Sequence, residues 1–190
     1  MVLSTIFHLP IAYERVLARP NDGLSVLVAL LTATVFAAGV YILVSEPILS
    51  LFFFFMNLVQ WFVFTLVLWF FGIAHSGRKR YYKEVTFSQC AALTSKLWTI
   101  NLFGAAIMFV FVIISPYITY NYLFPVLAVL AIISLVLLVA WVVSSIVMLK
   151  VVFEAESFKL FINWVFLLVL NAFVVGFISN IIMRNFLLVW

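Results

Sequence analysis

An all-α integral membrane protein with five transmembrane helices is expected from two features of this sequence: its long apolar stretches and the placement of its basic residues. Of the 190 residues, 68% are hydrophobic and only 8% are charged, whereas soluble domains usually carry about 25% charged residues. A bilayer core about 30 Å thick requires roughly 20 apolar residues of helix to cross it. Five such stretches follow one another, so lipid is expected to solvate much of the surface.

The chain divides into a short N-terminal segment, residues 1–19, and a membrane domain, residues 20–190. The segment is amphipathic, and Pro10 disfavours a helix through its middle. A short helix over 11–18, lying in the headgroup plane, is therefore expected. The five spans of the membrane domain are predicted at 24–44, 48–74, 97–115, 124–149 and 160–183.

The connections between spans are short. Only Ser45, Glu46 and Pro47 separate the first two spans, which predicts an antiparallel helical hairpin. A helical extension over 87–96 is expected to precede the third span, and Pro116 ends that span. Pro125 falls in the first turn of the fourth span, where a helix tolerates proline.

The basic residues predict the orientation. Nine of the ten Lys and Arg residues lie before the first span, between the second and third, or between the fourth and fifth, and only Arg184 lies on the other side. Because positive charge is retained in the cytoplasm, the N-terminus is expected inside and the C-terminus outside. Trp69, Trp98 and Trp164 are expected near inner span ends. The net charge of +4 then reflects topology, and no nucleic-acid partner is expected. In a prokaryote the host membrane would be the cytoplasmic membrane.

Residues that could carry catalysis are sparse, so no enzyme activity, metal or cofactor is expected. No zinc-binding helix and no phosphate-binding glycine loop occurs. Both histidines, His8 and His75, lie outside the spans, and the lone Cys90 can form no intrachain disulfide. No predicted span contains an ionisable residue, which argues against ion-coupled transport. An intramembrane enzyme is the weakest of the alternatives, and a bound metal would revive it.

Uncharged polar residues do occur deep in the predicted spans. They have two interpretations, a polar cavity for a ligand or hydrogen bonding between helices. Their spacing places Asn57 and Gln60 on one face of the second span, and two of the remaining asparagines on one face of the fifth. The candidate residues are Asn57, Gln60, Asn101, Asn163 and Asn171.

Small residues recur every fourth position in two spans, which allows the backbones of neighbouring helices to approach closely. In the first span they are Ala29, Ala33 and Ala37, and in the fifth they are Ala172 and Gly176. Packing within one chain is one interpretation. Docking of another membrane protein, or of a second copy of this chain, is the other.

The most polar segment of the chain lies between the second and third spans. Its basic residues are Arg78, Lys79, Arg80 and Lys83. Beside a membrane, each can attract anionic headgroups with about 1 kcal/mol. The loop is therefore a candidate surface for membrane lipids or a protein partner. The alternative is that its charges only fix the orientation of the chain in the membrane.

The linear pattern resembles the Yip-domain family, membrane proteins known as interactors of Rab-type GTPases. The similarity lies in the opening PIAYERVL at 10–17 with Pro20 after it, in Gly72 at the end of the second span, and in FSQCAA at 87–92. The last part of the similarity is Trp141, which is followed by a loop with SFK at 157–159. The resemblance implies a five-helix bundle with a cytoplasmic N-terminus, acting in membrane organisation or trafficking. The short segment before the first span implies a prokaryotic-type member.

The expected function is therefore that of a non-enzymatic membrane protein that presents basic loops to lipid or to a protein partner. The alternative is a substrate-binding membrane subunit of a transporter for a small, vitamin-type solute. Such subunits are similar in length and apolarity, and the Ala29, Ala33 and Ala37 stripe resembles their docking motif. A tightly bound small molecule would favour this alternative.

Overall fold

Six α-helices make up the part of the chain that the computed structural model describes, residues 9–76, 85–118, 120–153 and 157–182. No strand occurs in these ranges, and α2 to α6 each hold a stretch long and apolar enough to cross a membrane. The expectation of an all-helical chain with five such helices is confirmed, and it indicates a multi-pass membrane protein. The helices are α1 (Leu9–Ala18), α2 (Asp22–Val44), α3 (Pro47–Ser76), α4 (Phe87–Ile114), α5 (Tyr120–Phe153) and α6 (Ser157–Ile182), and a 3₁₀ turn (Ser115–Tyr117) follows α4.

Local capping chemistry sets the first hairpin. The Asn21 side-chain oxygen accepts a hydrogen bond from the Leu24 N–H at 3.0 Å, which starts α2. At its end, Ser45 has a left-handed φ of 60° and donates its N–H to the Tyr41 carbonyl at 2.7 Å. Helix α3 then begins at Pro47, where the missing N–H needs no partner. The two helices are thus joined as tightly as the sequence predicts.

A capping box starts α4 well before the membrane-spanning stretch predicted at 97–115. The Thr86 hydroxyl accepts from the Gln89 N–H at 3.2 Å, and the Gln89 side chain accepts from the Thr86 N–H at 2.9 Å. Helix α4 therefore runs unbroken from Phe87, and the extension predicted over 87–96 is continuous with the span.

The hydrophobic core lies at one end of the bundle, which we name the base: the end at which α2, α4 and α6 begin and α3 and α5 end. Side chains from α3 (Phe64 and Leu68), α4 (Leu93) and the last turns of α5 (Met148 and Leu149) are almost completely buried there. Helix α3 contacts α2, α4, α5 and α6, so it is the central helix of the bundle.

Helix α1 packs against the base through α4 and α5. Tyr13 is fully buried, and its hydroxyl lies 2.5 Å from the Ser144 hydroxyl of α5. The Gln89 amide of α4 donates to the Leu17 carbonyl at 2.8 Å. The helix begins at Leu9 rather than at residue 11, because Pro10 is accommodated in its first turn. Its position relative to the headgroup plane stays a prediction.

Helix α5 is exposed over much of its first half. The apolar window within Phe124–Val152 contains no buried residue. Ile132 and Leu135 are 62% and 61% exposed, for example, whereas Ser144 and Ser145 near the base are buried. The separation of α5 from its neighbours away from the base creates the spaces described next.

Candidate ligand cavity

A cavity of about 1030 Å³ lies between α2, α3, α4, α5 and α6, on the side of the core away from the base. Its volume reaches the upper end of the usual range for ligand pockets, about 300–1,000 Å³. The aromatic part of its wall comes from Phe36, Phe52, Phe53, Phe64, Trp98 and Trp141. An aromatic wall of this kind offers a large apolar contact surface to a guest molecule.

Polar side chains reach this cavity from all five spanning helices. All but Ser179, which lies in the last turn of α6, come from the middle part of their helix, near the expected centre of the bilayer. None of the described lining residues carries a carboxylate, amine, guanidinium or imidazole group. The polar residues of the wall are Thr32, Asn57, Gln60, Asn101, Ser134, Asn171 and Ser179.

Three polar atoms of the cavity wall are buried and make no hydrogen bond within the described residues. They are the side-chain oxygens of Asn57 and Asn171 and the indole N–H of Trp98. Asn171 is 7% exposed and Trp98 only 1%. A buried polar group without a partner costs about 1–3 kcal/mol, so each requires an explanation. The three residues line the same cavity, while the three atoms themselves are enclosed by protein.

Two half-buried indole groups of the bundle have partners. Trp61 donates to the Ser95 hydroxyl at 3.1 Å, and Trp164 donates to the Ser145 hydroxyl at 2.7 Å. Ser95 in turn donates to the Ser25 carbonyl of α2 at 3.0 Å. The fold therefore pairs tryptophan with serine at these two helix contacts, whereas the buried Trp98 N–H has no partner among the described residues.

Four of the five predicted intramembrane polar residues meet at this site: Asn57, Gln60, Asn101 and Asn171. The fifth, Asn163, lies elsewhere on α6 and has an interaction partner of its own. The sequence offered two interpretations, and the choice between them stays a prediction, although the Asn57 and Asn171 oxygens make no hydrogen bond within the described residues.

The two predicted stripes of small residues lie in different environments. Ala29, Ala33 and Ala37 are buried on α2, which packs against α4 and α3. Ala172 and Gly176 are exposed and line the cavity, and no atom lies within 4 Å of the position that a Gly176 Cβ would occupy. Within this chain the second stripe adds width to the cavity, and its role in assembly stays a prediction.

The candidate basic surface, Arg78, Lys79, Arg80 and Lys83, lies outside the described residues. In the described parts of the chain, no group of three His, Cys, Asp or Glu side chains is placed to hold a metal.

Trp98 was expected near the inner end of a span, and its depth in the membrane stays a prediction. The residue is almost completely buried, packs against Phe64 with ring centroids 5.8 Å apart, and lines the cavity. The sequence signal for its place within a helix is the Thr86–Gln89 capping box, because it starts α4 at Phe87, three turns before Trp98. Trp141 and Ser134 of the cavity wall carry no comparable signal in the sequence.

A second space, an apolar groove of about 500 Å³, lies between α4 and α5. It runs along α4 from Phe103 to Ile114 and along α5 from Pro125 to Leu130. Val110 and Val129 in its wall are each 55% exposed, so the groove opens at the side of the bundle. Ile107 lines both the groove and the cavity, so the two spaces adjoin.

The arrangement can hold an uncharged molecule through an aromatic wall and a few hydrogen bonds. Comparison of the chain with family models, curated proteins and solved structures finds no match.

Proposed function

We propose that this chain is a non-enzymatic membrane protein that binds a small, uncharged molecule in its central cavity, as a substrate-binding membrane subunit does. The observation that carries the proposal is one cavity of about 1030 Å³ whose wall combines aromatic side chains with uncharged polar side chains from all five spanning helices.

The membrane setting strengthens this reasoning. In the bilayer core no water is present to pair with an exposed polar group, and each unpaired group costs several kcal/mol. A bound molecule with its own donor and acceptor would pair with the accessible polar side chains of the wall, such as Gln60 and Asn101. The uncharged wall excludes an ionic guest on energetic grounds, because an unpaired charge at this depth costs at least about 2.5 kcal/mol.

Native mass spectrometry of the purified protein tests the proposal. The wild-type chain is expected to retain one uncharged small molecule at stoichiometric occupancy, and Asn171→Leu to lose it. The matched control is Asn180→Leu, because Asn180 is exposed on the same helix and does not line the cavity. Equal retention of the molecule by both variants, or no retained molecule in the wild type, would contradict the proposal.

The Yip-type function is the second candidate, and the charge distribution of the sequence supports it. Nine of the ten basic residues are predicted on one side, and four of them fall in the loop Arg78, Lys79, Arg80 and Lys83. The same spectra test this function, because it predicts bound anionic lipids that disappear when these four residues are changed to Gln. Loss of the anionic lipids with retention of a cavity ligand would show that the two activities coexist.

A further inference from the structure

We infer that α5 is a pivoting wall of the central cavity: its end at the base is fixed, and its opposite half moves towards and away from α4. The inference rests on the proposed function, since it describes how a molecule reaches the cavity on which that function depends. When α5 is away from α4, the cavity and the adjoining groove form one space that opens to the lipid.

The fixed end of α5 lies in the core. All the buried residues described in α5 fall in one short stretch near the base: Ser144, Ser145, Met148 and Leu149. The Ser144 hydroxyl is paired with Tyr13 of α1 at 2.5 Å. The Ser145 hydroxyl accepts a hydrogen bond from the Trp164 indole of α6 at 2.7 Å. Two adjacent residues are thus held from two different helices, and close packing around them resists a shift at this end.

The opposite half of α5 is packed far more loosely. None of the residues 124–143 is buried. In a membrane, the exposed apolar side chains of this half are solvated by lipid in either position of the helix, because lipid tails are as apolar as leucine. A segment with few buried contacts moves at a low free-energy cost. The free energy that holds this half of α5 beside α4 therefore comes from a small number of contacts.

The helices opposite α5 are held together away from the base. The Ser50 hydroxyl of α3 donates to the Ala37 carbonyl of α2 at 2.7 Å. A Cβ on Gly39 of α2 would lie 3.9 Å from the Phe109 Cα of α4. Helices α2, α3 and α4 are therefore in contact at the end where α5 is exposed, and they form the fixed wall against which α5 moves.

A close approach of α5 to α4 at Gly104 defines the narrow position. A Cβ on Gly104 would lie 3.6 Å from the Leu137 Cδ1 of α5, which is ordinary van der Waals contact. Both residues line the cavity, and Ile107, about one turn further along α4, lines both the cavity and the groove. Withdrawal of Leu137 from Gly104 would therefore widen the cavity and join it to the groove.

Distances between two nitroxide spin labels, measured by pulsed electron–electron double resonance on the full chain in lipid nanodiscs, test the inference. Cysteines at Leu51 of α3 and Leu127 of α5 carry the labels, because both positions are exposed and line neither space. The native Cys90 is buried. Leu127 lies about 26 Å along the helix from Ser144 at 1.5 Å per residue, so a tilt of about 10° shifts it by about 4 Å.

Two control pairs keep the Leu51 label and replace its partner. Ile113 is an exposed position of α4 away from the base, and Lys150 is an exposed position of α5 at the base. We expect a single narrow distance distribution for each control pair. For Leu51 with Leu127 we expect a distribution that is broader by about 4 Å, or two populations separated by that distance.

Two glycine variants form a matched pair. Both Gly104 and Gly176 line the cavity, but no atom lies within 4 Å of the position that a Gly176 Cβ would occupy. A leucine at position 104 would meet Leu137 and hold α5 away from α4. We expect Gly104→Leu to shift the Leu51–Leu127 distribution to longer distances, at least doubling the fraction at the long end, and Gly176→Leu to leave it unchanged.

The outcomes distinguish the pivot from the function on which it rests. A Leu51–Leu127 distribution as narrow as both controls would overturn the inference, and so would a Leu51–Lys150 distribution that is equally broad. If Gly104→Leu does not fold, these wild-type distributions decide alone. A retained ligand in the native mass spectra with a fixed α5 would leave the proposed function standing and refute the pivot. A moving α5 without a retained ligand would uphold the pivot and contradict the function.

Discussion

Tyr13 is the residue that fastens α1 to the rest of the protein. It is fully buried, and its hydroxyl is paired with Ser144 at 2.5 Å across 131 positions of sequence. Loss of one hydroxyl from such a pair leaves the other buried and unpaired. The stability of the base should therefore depend on this contact more than on any contact of the exposed tyrosines.

Tyr13→Phe is expected to lower the free energy of unfolding by about 1–3 kcal/mol, because the Ser144 hydroxyl loses its partner. Thermal unfolding in detergent measures the effect. Tyr41→Phe is the control, since Tyr41 is 51% exposed. The double variant Tyr13→Phe with Ser144→Ala should recover part of the loss. Equal melting temperatures for the two single variants would contradict the prediction.

Burial also raises the pKa of the Tyr13 phenol from 10.0 to about 12, and the hydrogen bond with Ser144 opposes this only in part. The unfolded chain therefore loses this proton at a lower pH than the folded chain. Stability from this group is complete below pH 10 and is lost as the pH rises towards 12. We expect Tyr13→Phe to lose less stability than the wild type between these values, measured by melts at matched pH. Parallel losses in the two proteins would argue against a buried, un-ionised phenol.

Single residues also show where sequence reasoning succeeds and where it stops. Asn57 and Asn171 could be selected from sequence, because an amide in an apolar span is rare enough to attract notice. Trp98 could not be selected in the same way, because a tryptophan close to the start of an apolar stretch usually marks the membrane interface. Only the helix start at Phe87 places it deep in the bundle.

The pair α2 and α4 shows how small residues control helix packing. Ser25, Ala29, Ala33 and Ala37 are buried at four-residue intervals along α2. Ser25 receives the hydrogen bond from Ser95 of α4, and a Cβ on Gly39 would lie 3.9 Å from the Phe109 Cα, so the two backbones run close together. A larger side chain on this buried face must push a neighbouring helix away.

Ala33→Leu is expected to destabilise the bundle by about 1–3 kcal/mol through overpacking, because Ala33 is 0% exposed. The measurement is the thermal melt in detergent, together with the oligomeric state. Ala131→Leu makes the same change at an exposed position of α5 and should be neutral. An unchanged melt for Ala33→Leu would show that this face is not a tight interface.

At this scale the number of spanning helices follows from hydropathy, whereas the helix bounds do not. Hydropathy reports where lipid surrounds the chain, so it places the third span at 97–115. The helix itself begins at Phe87, because Thr86 and Gln89 cap it and its first turns pack on α1 and α2 rather than on lipid. The exposure of α5 could not be predicted from the sequence, because an apolar helix has a similar composition whether it faces lipid or protein.

The whole molecule is packed tightly at the base and loosely at the opposite end. The almost completely buried side chains of the core come from the second half of α3, the first half of α4 and the parts of α5 and α6 near their junction. Away from the base lie the cavity and the groove, while α2 and α4 stay close at Gly39 and Phe109. Phe64 and Trp98 belong to both the core and the cavity wall, and substitutions in the rest of the wall should be tolerated better than substitutions in the core.

The orientation of the whole molecule is predicted from charge alone, with the base in the cytoplasm. Cysteines at the two ends test it with a membrane-impermeant maleimide. We expect Ser76→Cys, at the end of α3, to react only after permeabilisation, and Glu46→Cys, in the exposed hairpin turn, to react in intact cells. The native Cys90 is buried and should not react with the maleimide. The reverse pattern of labelling would invert the topology.

The side opening of the groove at Val110 and Val129 determines which concentration controls occupancy. A molecule that arrives through such an opening comes from the surrounding lipid, so its relevant activity is its mole fraction among the lipids. Dilution of the vesicles with buffer would leave occupancy unchanged, whereas dilution of the ligand with more lipid would lower it. Any apparent dissociation constant expressed per litre would therefore vary with the lipid-to-protein ratio of the preparation.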